Sequence, residues 1–190
     1  MRLWDLAGFG ILCAWFALLN GWRMLLLLLF AALIHELGHL AVLRVLGVRP
    51  EGFQITALGA EIRIPREQIS YPAELTVLLA GPGANLLCTT ALSAAGFPTA
   101  AGAQAVLGLF NLLPVRGLDG GEALRTTFSW IFGPEWGERV SGGISRICAV
   151  FLAGLLALLM LCSGGNLWLI PALCGFLSAA AGMSGNARKT

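Results

Sequence analysis

Long apolar stretches recur along this chain of 190 residues and constrain its fold more than any other feature. A helix that crosses the roughly 30 Å hydrocarbon core of a bilayer needs about 20 apolar residues. Hydrophobic residues make up 57% of the chain and charged residues only 12%, against roughly 25% charged residues in a typical soluble domain. We predict membrane spans near residues 3–20, 24–46, 72–95, 98–114, 147–163 and 166–183.

The predicted fold class is therefore an all-α polytopic membrane protein with about six transmembrane helices, in a single membrane-embedded domain over residues 1–190. The first apolar run could also be a signal peptide, but no small-residue cleavage site precedes Trp22 and Arg23. We favour an uncleaved first span. The five cysteines show no paired spacing and are interpreted as small hydrophobic residues, and no basic run suggests nucleic acid.

The basic residues predict the orientation of the chain. Segments 47–71 and 115–146 hold most of the charges and are expected to leave the membrane on one face. If that face is cytoplasmic, both termini are cytoplasmic too, and eleven of the twelve basic residues lie inside, with only Arg23 outside. Because cytoplasmic loops of membrane proteins are enriched in Lys and Arg, this arrangement is preferred.

Each of the two polar segments carries a structural prediction. Two weakly alternating runs around Gly59, from Phe53 to Ile64, predict a short β-hairpin between spans two and three. Its edge could hold an extended substrate by strand addition, or it could be a simple surface hairpin. In the second segment, residues 123–132 precede a Gly-Pro break and predict a helix lying at the membrane interface.

Two imidazoles and a carboxylate stand in the second predicted span, in His35-Glu36-Leu37-Gly38-His39, and these are the only two histidines in the chain. On a helix, His35 and His39 are separated by about 40° and about 6 Å, so both can reach one metal ion. Glu36 lies about 60° from His39, close enough to contact a metal-bound water. The spacing predicts a hydrolytic zinc site with Glu36 as general base. A metal-free packing cluster would leave buried polar groups unsatisfied.

A catalytic zinc keeps three protein ligands and one open position, so a third ligand must come from elsewhere. Asp119 is the best candidate, because Pro114 ends or kinks the fourth span and the nearby glycines permit tight backbone, which could offer Asp119 from an unwound segment. Other acids outside the second span lie at the N-terminus or in and beside the hairpin loop: Asp5, Glu51, Glu61, Glu67 and Glu74.

The third predicted span contains Ala80-Gly81-Pro82-Gly83-Ala84-Asn85, which combines small residues, a helix breaker and an amide. Small residues let another helix approach closely. Asn85 either contacts a substrate carbonyl or makes an interhelical hydrogen bond, and the same two interpretations apply to Asn111.

The HExxH within a span, the GPxxN within a later one, and NxxP followed by LDGG together resemble the site-2 protease family of intramembrane zinc metalloproteases. The layout is most similar to the sporulation stage IV type, without its C-terminal CBS domain. The resemblance covers about residues 24–121 and implies that this is the catalytic core, with a C-terminal helix pair at about 147–183. It implies metal binding by His35, His39 and Asp119, a base at Glu36, and substrate positioning by Asn85 and Asn111.

The resemblance further implies regulated intramembrane proteolysis: Zn²⁺-dependent hydrolysis of a peptide bond in or near a membrane-associated segment of a regulatory protein, such as a precursor transcription factor. It implies a multi-pass location in a bacterial cytoplasmic or forespore-surrounding membrane, and allows an inhibitory membrane partner. Three alternatives remain open. The site could be a station for zinc transport, the chain could sequester membrane helices without catalysis, or the two histidines and a carboxylate could hold iron in an oxygenase.

Overall fold

A computed structural model describes residues 3–50, 52–56, 59–63 and 69–162, with four positions beyond them: 170, 173, 174 and 177. The chain divides into two compact units, Met1–Leu112 and Leu113–Thr190. In the described part, the first unit contains helices α1 (Leu3–Asn20), α2 (Trp22–Val45), α3 (Tyr71–Ala94) and α4 (Pro98–Asn111) with strands β1 (Gly52–Thr56) and β2 (Gly59–Arg63), and the second contains α5 (Asp119–Phe132) and α6 (Pro134–Cys162).

The centre of the first unit is helix α3, which packs against both α2 and α4. Helix α2 buries Ala31, His35, His39 and Leu43, which repeat every four residues and so lie along one face of the helix. Leucines on its other faces are exposed, including Leu26, Leu33 and Leu37. A helix whose histidines are buried and whose leucines face outward is suited to a lipid environment.

Close contact between these helices depends on glycine. A Cβ added at Gly38 of α2 would lie 2.6 Å from the Ala80 carbonyl oxygen and 2.8 Å from the Ala84 Cβ, both on α3. A Cβ at Gly108 of α4 would lie 3.0 Å from the Cβ of Asn85. The small residues of α3 therefore admit a second helix at short range, as the sequence predicts.

The two strands pair in an antiparallel register, with Gly52 opposite Arg63 and Thr56 opposite Gly59. They connect α2 to α3 in the chain, and β1 lies against α1 while β2 lies against α2.

In the second unit, α5 and α6 pack against each other and are separated by Gly133, whose φ of 91° ends α5. Val115, in the turn before α5, is buried against Ala149 and Ala153 of α6. Helix α5 covers the stretch in which the sequence predicts an interfacial helix. Trp130, Ile131 and Phe132 at its C-terminal end are exposed.

The predicted fold class with about six transmembrane helices is wrong in its number of spans. Among the described residues, three helices are long and apolar enough to cross a membrane: Trp22–Val45, Tyr71–Ala94 and Pro134–Cys162. The predicted fourth span, 98–114, is helical only over the 14 residues of α4, which at 1.5 Å per residue measures about 21 Å, less than the hydrocarbon core. Most of the predicted sixth span, 166–183, lies outside the described residues.

Candidate metal centre

His35 and His39 point to the same place from the buried face of α2. Their Nε2 atoms are 3.2 Å apart, and the two rings meet edge to face with centroids 4.8 Å apart. Only 6% of His35 and 8% of His39 is exposed. Two imidazoles are therefore held together in the interior of the first unit, as their spacing in the sequence predicts.

The partners of the other ring nitrogens determine which nitrogen carries the proton. The Nδ1 of His39 lies 2.8 Å from the Val77 carbonyl oxygen, and the Nδ1 of His35 lies 2.7 Å from the Asn85 Oδ1. A carbonyl oxygen only accepts hydrogen bonds, so each Nδ1 donates a proton. In a neutral ring with the proton on Nδ1, the Nε2 carries a lone pair, and a neutral imidazole binds a metal through this lone pair.

The orientation of Asn85 supports this assignment. Its Nδ2 donates to the Ala31 carbonyl oxygen at 2.9 Å and to the Gln104 Oε1 at 2.6 Å. Because a backbone carbonyl cannot donate, the amide nitrogen must face Ala31, and the amide oxygen is left to accept from His35.

The two facing nitrogens have the separation that a shared zinc ion requires. With Zn–N bonds of about 2.0–2.1 Å in tetrahedral geometry, two ligand nitrogens are about 3.3 Å apart. Two lone pairs at 3.2 Å repel each other unless a cation or a proton lies between them. The nitrogens, their tautomers and their spacing therefore fit a zinc ion.

Gly81 of α3 forms the wall opposite the two rings. A Cβ at this position would collide with the Nε2 of His39, and would lie 2.7 Å from the His39 Cε1 and 2.9 Å from the His35 Cε1. No residue larger than glycine fits against the imidazoles in this arrangement. Gly81, in the small-residue segment of the third predicted span, thus has a direct steric role at the candidate site.

Glu36 follows His35 in the continuous helix α2 and is half-buried. Its place on the helix is the one from which the sequence predicts a general base. That role stays a prediction.

Asp119 belongs to the second unit, where it is the first residue of α5. The non-helical segment expected near it covers residues 112–118 and ends just before it, so Asp119 starts a helix. Gly117 in that segment has a φ of 90°, a conformation that favours glycine. The Arg116 amide donates to the Ser145 Oγ at 2.6 Å, which fastens the segment to α6. The role of Asp119 as third ligand stays a prediction.

The two asparagines have different surroundings. Asn85 is completely buried and bonds to His35 and to the Ala31 carbonyl oxygen, both on α2. The structure therefore gives it interhelical hydrogen bonds, one of its two interpretations. Asn111 is half-buried at the end of α4 and donates to the Leu107 carbonyl oxygen of its own helix at 3.1 Å. Substrate positioning by either residue stays a prediction.

Gln104 of α4 is a residue of this site that the sequence analysis does not identify. It is completely buried and accepts a hydrogen bond from Asn85. An amide within the apolar and small residues of a short helix was the available signal, because polar groups buried in membrane helices are costly and usually functional.

Comparison with known proteins places these residues in context. The chain is 31% identical over 152 residues to a zinc metalloprotease of Methanocaldococcus jannaschii, a match that covers 72% of this chain and 44% of the relative. It is 32% identical over 171 residues to Rip3 of Mycobacterium tuberculosis, provisionally named a zinc metalloprotease, covering 75% of this chain and 41% of the relative. The chain thus spans less than half the length of these curated relatives.

A solved structure, the site-2 protease from Methanocaldococcus jannaschii, matches with a TM-score of 0.65 and 23% sequence identity, covering 96% of this chain and 87% of that one. No protein-family model matches the chain. At this identity the structural match shows a common fold, and the names of the relatives agree with the prediction of zinc. The chain therefore shares its fold with a site-2 protease and is similar in sequence to proteins named zinc metalloproteases.

Proposed function

We propose that this chain is an intramembrane zinc metalloprotease of the site-2 protease type, which hydrolyses a peptide bond in or near a membrane-associated segment of a regulatory protein. The observation that carries the proposal is the pair of Nε2 atoms 3.2 Å apart on α2, a helix long and apolar enough to cross a membrane. Both rings present metal-binding lone pairs, and Glu36 lies between the two histidines in the sequence.

In this proposal His35, His39 and Asp119 hold the metal. When bound, zinc would supply a Lewis acid that polarises a substrate carbonyl and makes a water molecule more acidic. Glu36 accepts the proton of the attacking water and later delivers it to the leaving amine. Val77 and Asn85 keep both Nδ1 protons in place, so that the histidines stay in the ligating tautomer.

The proposed substrate is a membrane-tethered regulator such as a precursor transcription factor. A substrate must expose an extended backbone for hydrolysis, and Asn85 and Asn111 are proposed to help position it. The proposed location is a bacterial cytoplasmic or forespore-surrounding membrane, crossed several times, with both termini in the cytoplasm. The motif layout favours the sporulation stage IV type, and restraint by an inhibitory membrane partner is part of this proposal.

Replacement of Glu36 by Gln tests the chemistry, because it removes the base and keeps the size of the side chain. We expect cleavage of a reconstituted membrane-tethered substrate to fall by about 10²–10⁴-fold, the contribution typical of a general base. Zinc content should stay at the level of the native chain, since Glu36 is not a proposed ligand. Cleavage is followed by gel electrophoresis and zinc by elemental analysis of the same preparation.

Glu135→Gln is the matched control, because it makes the same chemical change at an exposed position near the start of α6. This variant should cleave at the native rate. Native activity in Glu36→Gln would remove Glu36 from its proposed role. Flux of zinc into proteoliposomes that contain the native chain, without any proteolysis, would instead favour transport.

A further inference from the structure

We propose that Gln104 is a positioning residue for the metal centre, acting on His35 through Asn85. This inference rests on the proposed metal site. The side chains form a chain of hydrogen bonds: Gln104 Oε1 accepts from Asn85 Nδ2 at 2.6 Å, and Asn85 Oδ1 accepts from His35 Nδ1 at 2.7 Å. This series of hydrogen bonds connects α4 to α3 and α3 to α2, so each of the three helices contributes one side chain.

The geometry at Asn85 explains why Gln104 matters. The Asn85 amide is held at three points: its oxygen by His35 and its nitrogen by the Ala31 carbonyl and by Gln104. Without the Gln104 oxygen, one buried N–H of Asn85 would have no acceptor from α4, and an unsatisfied buried donor costs about 1–3 kcal/mol. Asn85 would rotate to recover a partner, and its oxygen would move away from His35.

A second observation shows that Gln104 is not simply filling space. It is 0% exposed, yet among the described residues its Nε2 has no hydrogen-bond partner. An apolar side chain of similar volume would fill the same position without burying this donor. The benefit of glutamine at this position therefore lies in its acceptor oxygen, which Asn85 uses.

Two substitutions at position 104 separate the acceptor from the shape. Gln104→Met keeps the length of the side chain and leaves only a weakly accepting sulfur, whereas Gln104→Glu keeps an acceptor oxygen towards Asn85. We measure Co²⁺ affinity of the detergent-purified full chain by the visible absorption of the bound ion, with Zn²⁺ affinity from competition. Circular dichroism of each variant reports helix content.

The expected result is a loss of about tenfold in metal affinity for Gln104→Met, as is typical when an outer partner of a ligand histidine is lost. Gln104→Glu should bind at least as tightly as the native chain, and its Co²⁺ spectrum should match the native one. Thr89→Val is the control, because the Thr89 hydroxyl donates to the Asn85 backbone oxygen at 2.9 Å and does not bond to the Asn85 side-chain amide. This variant should bind metal with native affinity.

Equal metal affinity in Gln104→Met and the native chain would overturn the inference, as would an equal loss in Gln104→Met and Gln104→Glu. If Gln104→Met fails to fold, Gln104→Glu still tests the inference. Weaker metal binding by Gln104→Glu than by Thr89→Val would contradict it. Failure of the native chain to bind either metal is a different result, because it removes the proposed function itself.

Discussion

At the scale of single residues, the candidate site depends on which nitrogen of each histidine carries a proton. The sequence predicts that His35 and His39 face one ion, because their spacing on a helix leaves little choice. It does not predict the tautomers, since these are set by Val77 and Asn85 from α3, about 40 to 50 positions away in the chain. Gln104 was missed for the same reason: its partner is a distant amide rather than a neighbour in the sequence.

Gly81 gives a residue-scale prediction. Gly81→Ala places a methyl group against both imidazoles, so the rings must separate, and we expect zinc affinity to fall by at least about tenfold. Gly83→Ala, two residues along the same helix, meets no atom within 4 Å and should bind zinc normally. It should also be stabilised by up to about 1 kcal/mol, because alanine favours the helix. Zinc competition and thermal unfolding in detergent measure both effects, and native zinc affinity in Gly81→Ala would show that the rings do not need this space.

At the scale of helices and turns, the sequence predicts where the chain turns better than how long each helix is. Pro114 and the surrounding glycines correctly mark an interruption after α4, and Gly133 correctly marks the end of α5. The length of α4 was overestimated, because Leu112 and Leu113 continue the apolar run although the helix has ended at Asn111. Apolar composition alone cannot distinguish a helix from a buried turn, as Val115 shows by packing on α6.

The first turn of α5 gives a prediction at this scale. A Cβ at Gly121 would collide with the Val115 carbonyl group and lie 2.9 Å from the Arg116 nitrogen. Since that backbone is fastened to α6, Gly121→Ala should displace the start of α5, which carries Asp119, and destabilise the second unit by about 1–3 kcal/mol. We expect weaker zinc binding together with faster limited proteolysis.

Gly143→Ala controls for the loss of a helical glycine in the same unit, because its added Cβ meets no atom within 4 Å. This variant should resist proteolysis as well as the native chain does. If Gly121→Ala behaved like Gly143→Ala, the close approach before α5 would have no energetic importance.

At the scale of the whole molecule, composition predicts a helical membrane protein and overestimates the number of spans among the described residues. In the part of the chain that the structure describes, three helices have the length and hydropathy that a span requires. The sequence suggests more spans because apolar residues also occur in short helices such as α4. Within the first unit, the buried side chains of His35, Asn85 and Gln104 link α2, α3 and α4, and many leucines face outward. The sequence indicates this polar region through His35, His39 and Asn85 but not through Gln104, whose partner is distant in the chain.

The zinc content of the purified full chain tests the central claim most directly. Elemental analysis of the native protein in detergent should give about one zinc ion per chain and no iron, as expected for a single catalytic site. His39→Ala, which removes one of the two facing nitrogens, should reduce bound zinc to a small fraction of that amount in a chain of unchanged helix content. Native protein without zinc, or with stoichiometric iron instead, would contradict the account.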